Sequence, residues 1–230
     1  MPKISLVTTC YSHPIHYLIE LINGLKSQTF LDFEWVVLTD GCDPSPIADL
    51  VNTHLGRSAP FGHVLIASER VGRSPALIKA VEASRGDYLL LMDSDDWLDP
   101  KCLEELDKGS RGCDLVFGSC VVYDALGPNL AKTREIEIKD IDLILQYPDS
   151  YFHPCLFTRE LYEVVGGFDP TIPACIDYDL WLRMFNHSKR AIKRPLAIYN
   201  YRRHYNQMAR THKEAQYQMS KKIRERYANR

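Results

Sequence analysis

The sequence predicts an α/β protein whose sheet is largely parallel and covered by helices on both faces. Two observations carry this reading. Strand-like and helix-like segments alternate through residues 1–92, and the strand-like ones are almost unbroken apolar runs. Such runs mark strands buried on both sides, whereas a half-exposed strand would alternate apolar and polar residues.

The elements follow in order. Residues 4–9 form a short β-rich run. Residues 16–28 place Leu18, Ile19, Ile22 and Leu25 at helical spacing. Residues 33–39 are a nearly unbroken apolar run ending at Asp40-Gly41, and residues 44–55 read as a helix with Asp43 or Ser45 as its cap. A third strand is expected at 63–67, a third helix at 75–84 and a fourth strand at 88–92. Ligands of such sheets bind at the carboxyl ends of the strands. Here those ends carry Thr8, Thr9 and Tyr11, then Asp40, then residues 68–72, then Asp93 to Asp96. That set is polar and acidic, and it should converge in space.

After Pro100 the rhythm changes. A helix is expected at 101–108, a strand at 114–123 and a loop at 127–133. A helix is then expected in the second half of 136–146, a strand at Leu156, and helices at 160–165 and 178–187 with a turn at 166–169. No repeat, low-complexity tract or linker interrupts the chain, so one domain with two halves is expected.

The 230 residues, 45% hydrophobic and 25% charged, suffice for a core and exclude a disordered or fibrous protein. No apolar run approaches the roughly 20 residues of a membrane-spanning helix. The first residues lead into a strand-like run with no signal-peptide core, so a cytoplasmic location is expected. Seven cysteines at scattered spacings read as buried small hydrophobes of a reducing compartment. The formal charge of −2 hides a division: residues 189–230 carry 13 Lys+Arg against Glu214 and Glu225, and the rest of the chain is strongly acidic. No nucleic acid is expected as a partner. A P-loop, a nucleophile elbow, H-E-x-x-H and G-x-G-x-x-G are all absent from the sequence.

The segment Asp93-Ser94-Asp95-Asp96-Trp97 is the most informative. Three carboxylates within four residues at a buried strand's end repel one another unless a cation compensates them. Hard oxygen ligands suit Mg²⁺ or Mn²⁺. An EF-hand loop is excluded, because Trp97 and Leu98 stand where a ligand and a glycine are required. The competing reading is that Asp95, Asp96 or Asp99 caps the next helix.

This segment resembles the D-x-D element of the family 2 glycosyltransferases, inverting enzymes of the GT-A fold. The likeness extends over residues 3–205. Residues 4–11 resemble the family's opening strand, and Gln28-Thr29 the end of its first helix. Residues 33–41 resemble a strand ending in D-D-G, with Thr39 in place of the first Asp. Gly86-Asp87-Tyr88 precedes the acidic turn as in the family. Gly166-Gly167-Phe168-Asp169, followed by Asp177-Tyr178-Asp179-Leu180-Trp181-Leu182-Arg183, resembles the paired GGFD and ED-x-D-L-W-L-R segments. Two departures stand out. Ile176 replaces the usual Glu, and residues 75–78 replace an Asn or Arg-Asn pair.

The resemblance implies a GT-A fold: a Rossmann-like mixed sheet flanked by helices, in one domain of residues 1–205. Its halves would be a nucleotide-sugar-binding half (1–100) and an acceptor half (101–205), followed by a basic helical tail (206–230). It implies an inverting transfer from a nucleoside-diphosphate sugar, with UDP favoured, to an acceptor hydroxyl. Tyr11 would stack on the base, Asp40 accept from a ring N–H, and Thr9 add a polar contact. Arg70 and Arg73 would reach the donor. Asp93 would contact the ribose beside Ser94, Asp95 would ligate Mn²⁺ or Mg²⁺, and Asp96 and Trp97 would lie nearer the sugar. His204, in the Y-R-x-H segment, would be a further metal or diphosphate contact. Asp177 would be the general base, with Asp179 as competitor and helix capping as the bland alternative. A non-catalytic nucleotide-sugar-binding or scaffolding protein is the other reading, and Ile176 is its support.

The resemblance leaves the acceptor open among saccharides, lipid-linked saccharides and protein side chains, the chain's own tyrosines included. Its contacts are expected around 151–155 and 170–175. In the tail, Ala215, Met219, Ile223 and Tyr227 form an apolar stripe among basic residues. Such a helix lies on an anionic membrane as a peripheral contact at its inner face, docks on the acidic body, or approaches a phosphorylated acceptor.

Overall fold

The structure is a computed structural model that describes residues 1–11, 14–55, 60–124, 127–129, 153–207 and 211–227, with backbone alone at 127–129 and 195–197. The helix expected within 136–146 and the Tyr151 end of the expected acceptor region lie outside the described residues.

Strands β1 (Ile4–Cys10), β2 (Phe33–Asp40), β3 (Gly62–Ser68) and β4 (Tyr88–Leu91) alternate with helices α1 (Ile15–Lys26), α2 (Ser45–His54) and α3 (Arg73–Ala83). They form the parallel half of the sheet, in the order β3-β2-β1-β4. The short β5 (Trp97–Leu98), α4 (Cys102–Ser110), β6 (Leu115–Asp124) and β7 (Gly127–Asn129) come next. Then follow β8 (Cys155–Thr158), α5 (Arg159–Val164), α6 (Ile176–His187), β9 (Ala191–Arg202) and α7 (Lys213–Tyr227).

The second half is where the sheet departs from all-parallel. β8 pairs antiparallel with β4 and with β6, while β9 runs parallel to β6 and antiparallel to β5. The start of the expected loop at 127–133 is a strand instead, because Gly127–Asn129 pairs antiparallel with the end of β6. This is the mixed, helix-flanked sheet that the resemblance implies.

β2 shows why its run is unbroken. Trp35 and Val37 face one core, packed under α1, α2 and α4, while Val36 and Leu38 face a second under α3, α5 and α6. All four are essentially inaccessible to water, and burying such a side chain is worth about 1.5–3 kcal/mol. The Trp35 indole Nε1 donates to Thr8 Oγ1 at 3.0 Å, so its polar atom is satisfied inside the sheet. Glu34, on the same strand, is also buried and accepts from Ser5 Oγ at 2.7 Å and from the Arg85 N–H at 2.6 Å.

Helix α7 settles onto the second core. Ile223 and Tyr227 are buried there, Met219 is half-buried beside them, and Ala215 stays exposed. Cys175 Sγ lies 3.4 Å from the Gln216 carbonyl, and the Arg226 guanidinium 3.9 Å from Asp179 Oδ1. The lower part of the apolar stripe is therefore spent on the body of the domain. All seven cysteines are free. Among the described residues no helix is long and apolar enough to cross a membrane.

Candidate active site

The site forms where β1, β2 and β4 end and where α3 and α6 begin. Asp40, at the end of β2, turns its carboxylate onto the loop before α3. Oδ1 accepts from the Val71 N–H at 2.6 Å and Oδ2 from the Gly72 N–H at 3.1 Å. The next residue, Gly41, has φ 74°, and a side chain there would put its Cβ 2.4 Å from that of Arg70. This close approach lets the Arg70 guanidinium lie 3.7 Å from the centroid of the exposed Tyr11 ring. Tyr11, Asp40 and Arg70 are thus brought together as one wall. Thr9 is half-buried at the adjoining end of β1.

Arg73, in the first turn of α3, donates from Nη2 to Asp93 Oδ1 at 2.7 Å. The negative charges of Asp93, then of Asp177 and Asp95, hold its pKa above the ordinary arginine value. One guanidinium therefore feels the charge of carboxylates on both the acidic turn and α6.

Within the turn, Asp93, Asp95 and Asp96 each offer an oxygen, all within 4.8 Å of one another. Asp95 Oδ2 is 2.8 Å from His204 Nε2, so the two expected metal ligands are brought together from distant parts of the chain. This all-carboxylate and imidazole donor set fits a hard divalent cation such as Mn²⁺ or Mg²⁺.

Three expected donor contacts sit differently. Asp96 is buried and turned inward, its Oδ2 accepting from the Tyr199 hydroxyl at 2.6 Å and its Oδ1 from the Arg202 N–H at 2.7 Å. Burial first, and then the neighbouring charges of Asp95 and Asp93, push its pKa well above the carboxylate range. Trp97 lies on β5 with its ring 4.7 Å from Tyr123 and 4.6 Å from the Arg202 guanidinium, so it braces the turn from beneath. Ser94 is buried and hydrogen-bonds to the Cys10 thiol, whose pKa burial raises to about 12. In each case a partner far along the chain claims the side chain.

On the opposite wall, Asp177 lies in the first turn of α6. Its Oδ1 accepts from the Tyr178 N–H at 2.9 Å, while Oδ2 lies 3.9 Å from His153 Nε2. Its side chain is 26% exposed, which leaves it open to a substrate. Asp179 differs: it is 3% exposed and tied to Arg183 at 2.7 Å. That ion pair leaves Asp177 as the accessible carboxylate of the two. Ile176, where the family has Glu, is buried in the second core. Sequence reading missed His153, because a lone histidine 24 positions before Asp177 carries no spacing signal.

The Glycosyl transferase family 2 model matches residues 5–165, so the chain belongs to that family. An uncharacterized glycosyltransferase of Methanocaldococcus jannaschii is 27% identical over 188 residues, which is 79% of this chain and 64% of the relative. An uncharacterized protein of Sinorhizobium fredii is 31% identical over 79% of this chain but only 20% of its own length. The chain thus spans less than two thirds of the length of both of these relatives.

Among solved structures, S. aureus TarS superposes with a TM-score of 0.73 at 17% identity, over 96% of this chain and 39% of TarS. A shorter TarS chain, residues 1–349, has been solved with UDP and with UDP-GlcNAc. The mannosyltransferase PcManGT from Pyrobaculum calidifontis, solved with GDP-Man and Mn²⁺, superposes with a TM-score of 0.65 at 20% identity, over 86% of this chain and 56% of PcManGT. The fold is the GT-A fold of these glycosyltransferases.

Proposed function

We propose that this chain transfers a sugar, with inversion, from a nucleoside-diphosphate sugar to an acceptor hydroxyl, with Asp177 as general base. The observation that carries the reading is Arg73, which donates to Asp93 of the acidic turn and whose pKa is raised by the charges of Asp93, Asp177 and Asp95, beside an Asp177 that stays partly exposed. A UDP-sugar is the favoured donor, supported by the UDP and UDP-GlcNAc complexes of TarS. Tyr11 and Asp40 hold the base, and Arg70 and Arg73 hold the phosphates.

Direct inversion needs a base on the face opposite the leaving group. The acceptor O–H proton passes to Asp177 Oδ2 as the acceptor oxygen bonds to the anomeric carbon. The bond from the anomeric carbon to the phosphate oxygen breaks, and its electron pair stays on the nucleoside diphosphate. Arg73 offsets the growing charge there. A Mn²⁺ or Mg²⁺ ion at Asp95 and His204, beside Asp93, would supply Lewis-acid stabilisation of the same charge. Saccharides, lipid-linked saccharides and protein hydroxyls are the acceptor classes. The exposed Lys213, Lys221, Lys222 and Arg226 of α7 support a peripheral contact with an anionic membrane surface on the cytoplasmic side.

The second reading, a nucleotide-sugar-binding protein without transfer, is favoured by one observation, the buried Ile176 in place of an acceptor-side Glu. A screen of nucleotide sugars with Mn²⁺ separates the two, following nucleoside diphosphate release and the mass of protein and products. The wild type should transfer, and Asp177→Asn should bind UDP yet transfer nothing. Transfer by Asp177→Asn at the wild-type rate would sink the base assignment. Binding without any turnover by the wild type would favour the second reading.

A further inference from the structure

His153 is the buried titratable side chain that the site above leaves unused. It is 8% exposed and stands just before β8. Its ring stacks on Tyr199, with centroids 5.3 Å and planes 24° apart, and meets Trp181 edge-on at 5.5 Å. Both neighbours are anchored. The Tyr199 hydroxyl donates to Asp96, and Trp181 lies on α6 one turn beyond Asp177. An imidazole clamped on two sides has a fixed direction for each nitrogen.

Nε2 faces Asp177 Oδ2 at 3.9 Å, whereas Nδ1 is buried with no hydrogen-bond partner among the described residues. A buried ring nitrogen left without a partner calls for a physical account. If Nε2 carries the ring proton, Nδ1 holds only a lone pair, and the one N–H points at the carboxylate. Asp177 in turn sits between two attractions. The Arg73 charge, which also binds Asp93, attracts it. The Tyr178 N–H holds Oδ1 in place.

We propose that His153 is the positioning residue for Asp177: its Nε2–H draws Oδ2 away from Arg73 and keeps it aimed at the acceptor hydroxyl. His153 takes no proton in the transfer, which passes to Asp177. The separation of 3.9 Å is longer than a hydrogen bond, and such contacts commonly tighten when substrate binds. Because Tyr199 grips both His153 and Asp96, the base and the acidic turn are held as one unit. The inference rests on the reading of Asp177 as the base.

The test compares His153→Phe and His153→Gln with the wild type in the nucleotide-sugar assay. Phe keeps the stack on Tyr199 and Trp181 but loses both nitrogens; Gln keeps an amide N–H near the place of Nε2. His153→Phe should retain the wild-type melting temperature, UDP binding and donor KM, while kcat falls on the order of 100-fold. His153→Gln should recover roughly a tenth or more of the wild-type kcat. If His153→Phe proves unstable, the rescue by Gln carries the measurement. An active wild type with unchanged kcat in both variants overturns this role alone, as does a loss in which binding, stability and kcat fall together in both. A wild type that transfers to no acceptor overturns the base reading and this inference with it.

Discussion

His204 Nε2 lies 2.8 Å from Asp95 Oδ2, a contact that joins residues 109 positions apart. It brings the segment just past the last strand onto the acidic turn and sets an imidazole against Asp95, one of the turn's three clustered carboxylates. Mn²⁺ should therefore raise the melting temperature of the wild type. At a concentration 100 times the dissociation constant, the gain is about 2.7 kcal/mol. His204→Asn should weaken Mn²⁺ binding by about 10–100-fold, measured by thermal shift against metal concentration. Equal Mn²⁺ affinity in the variant would remove His204 from the site.

The Asp40 carboxylate is bonded to two backbone N–H groups of the loop that carries Arg70. Charge-assisted bonds of this kind contribute about 1.5–3 kcal/mol. Asp40→Ala should loosen the loop and raise donor KM by about tenfold or more, with a smaller change in kcat. Steady-state kinetics over donor concentration would read the split, and a fall confined to kcat would contradict it.

Glu34 gives the fold a pH-dependent element. Burial alone would raise its pKa, but hydrogen bonds from Ser5 and Arg85, with the Arg85 charge, outweigh burial and lower it below the ordinary glutamate value. A carboxyl with a depressed folded pKa stabilises above its unfolded pKa of about 4.3. That stability is lost as pH falls through the folded value. Urea midpoints should therefore drop between roughly pH 5 and pH 3, and Glu34→Gln should lower stability at neutral pH and flatten that dependence. A parallel fall in both proteins would assign it to other groups.

Ile223 is completely buried where α7 meets the second core. Ile223→Ala should cost about 2–5 kcal/mol. Ala215, at the exposed end of the same stripe, should tolerate Ala215→Ser within about 0.5 kcal/mol. Denaturant melts of the two variants test the docking of the helix directly, and equal stabilities would refute it.

The parallel half of the fold was legible because β1, β2 and β4 are buried on both faces and read as nearly unbroken apolar runs, broken only by polar residues such as Ser5 and Glu34 that satisfy one another; β3 is only half-buried, yet its residues 64–67 are apolar as well. The acidic turn was legible because three carboxylates in four residues have few peaceful uses. β9 was hidden, since its lysines and arginines break the apolar pattern, and β5 has only two residues to show. Only the family resemblance set Asp95 apart from Asp96, and it put Asp96 nearer the sugar, not turned inward. They are neighbours of one type, and which turns inward is decided by Tyr199 and by the Arg202 N–H, more than 100 positions downstream. His153 was invisible for the same reason: its meaning comes from Asp177 and Tyr199, which only the folded chain brings to it.

The docking of α7 also orders events during synthesis. The face of α6 that receives Ile223 and Tyr227 cannot be sealed until those residues leave the ribosome. Until then a nascent chain displays an uncovered apolar surface beside Asp177, the kind of surface that chaperones recognise and that promotes aggregation. Helix α7 therefore acts as a late closure for a domain whose Asp177-bearing wall is otherwise already made.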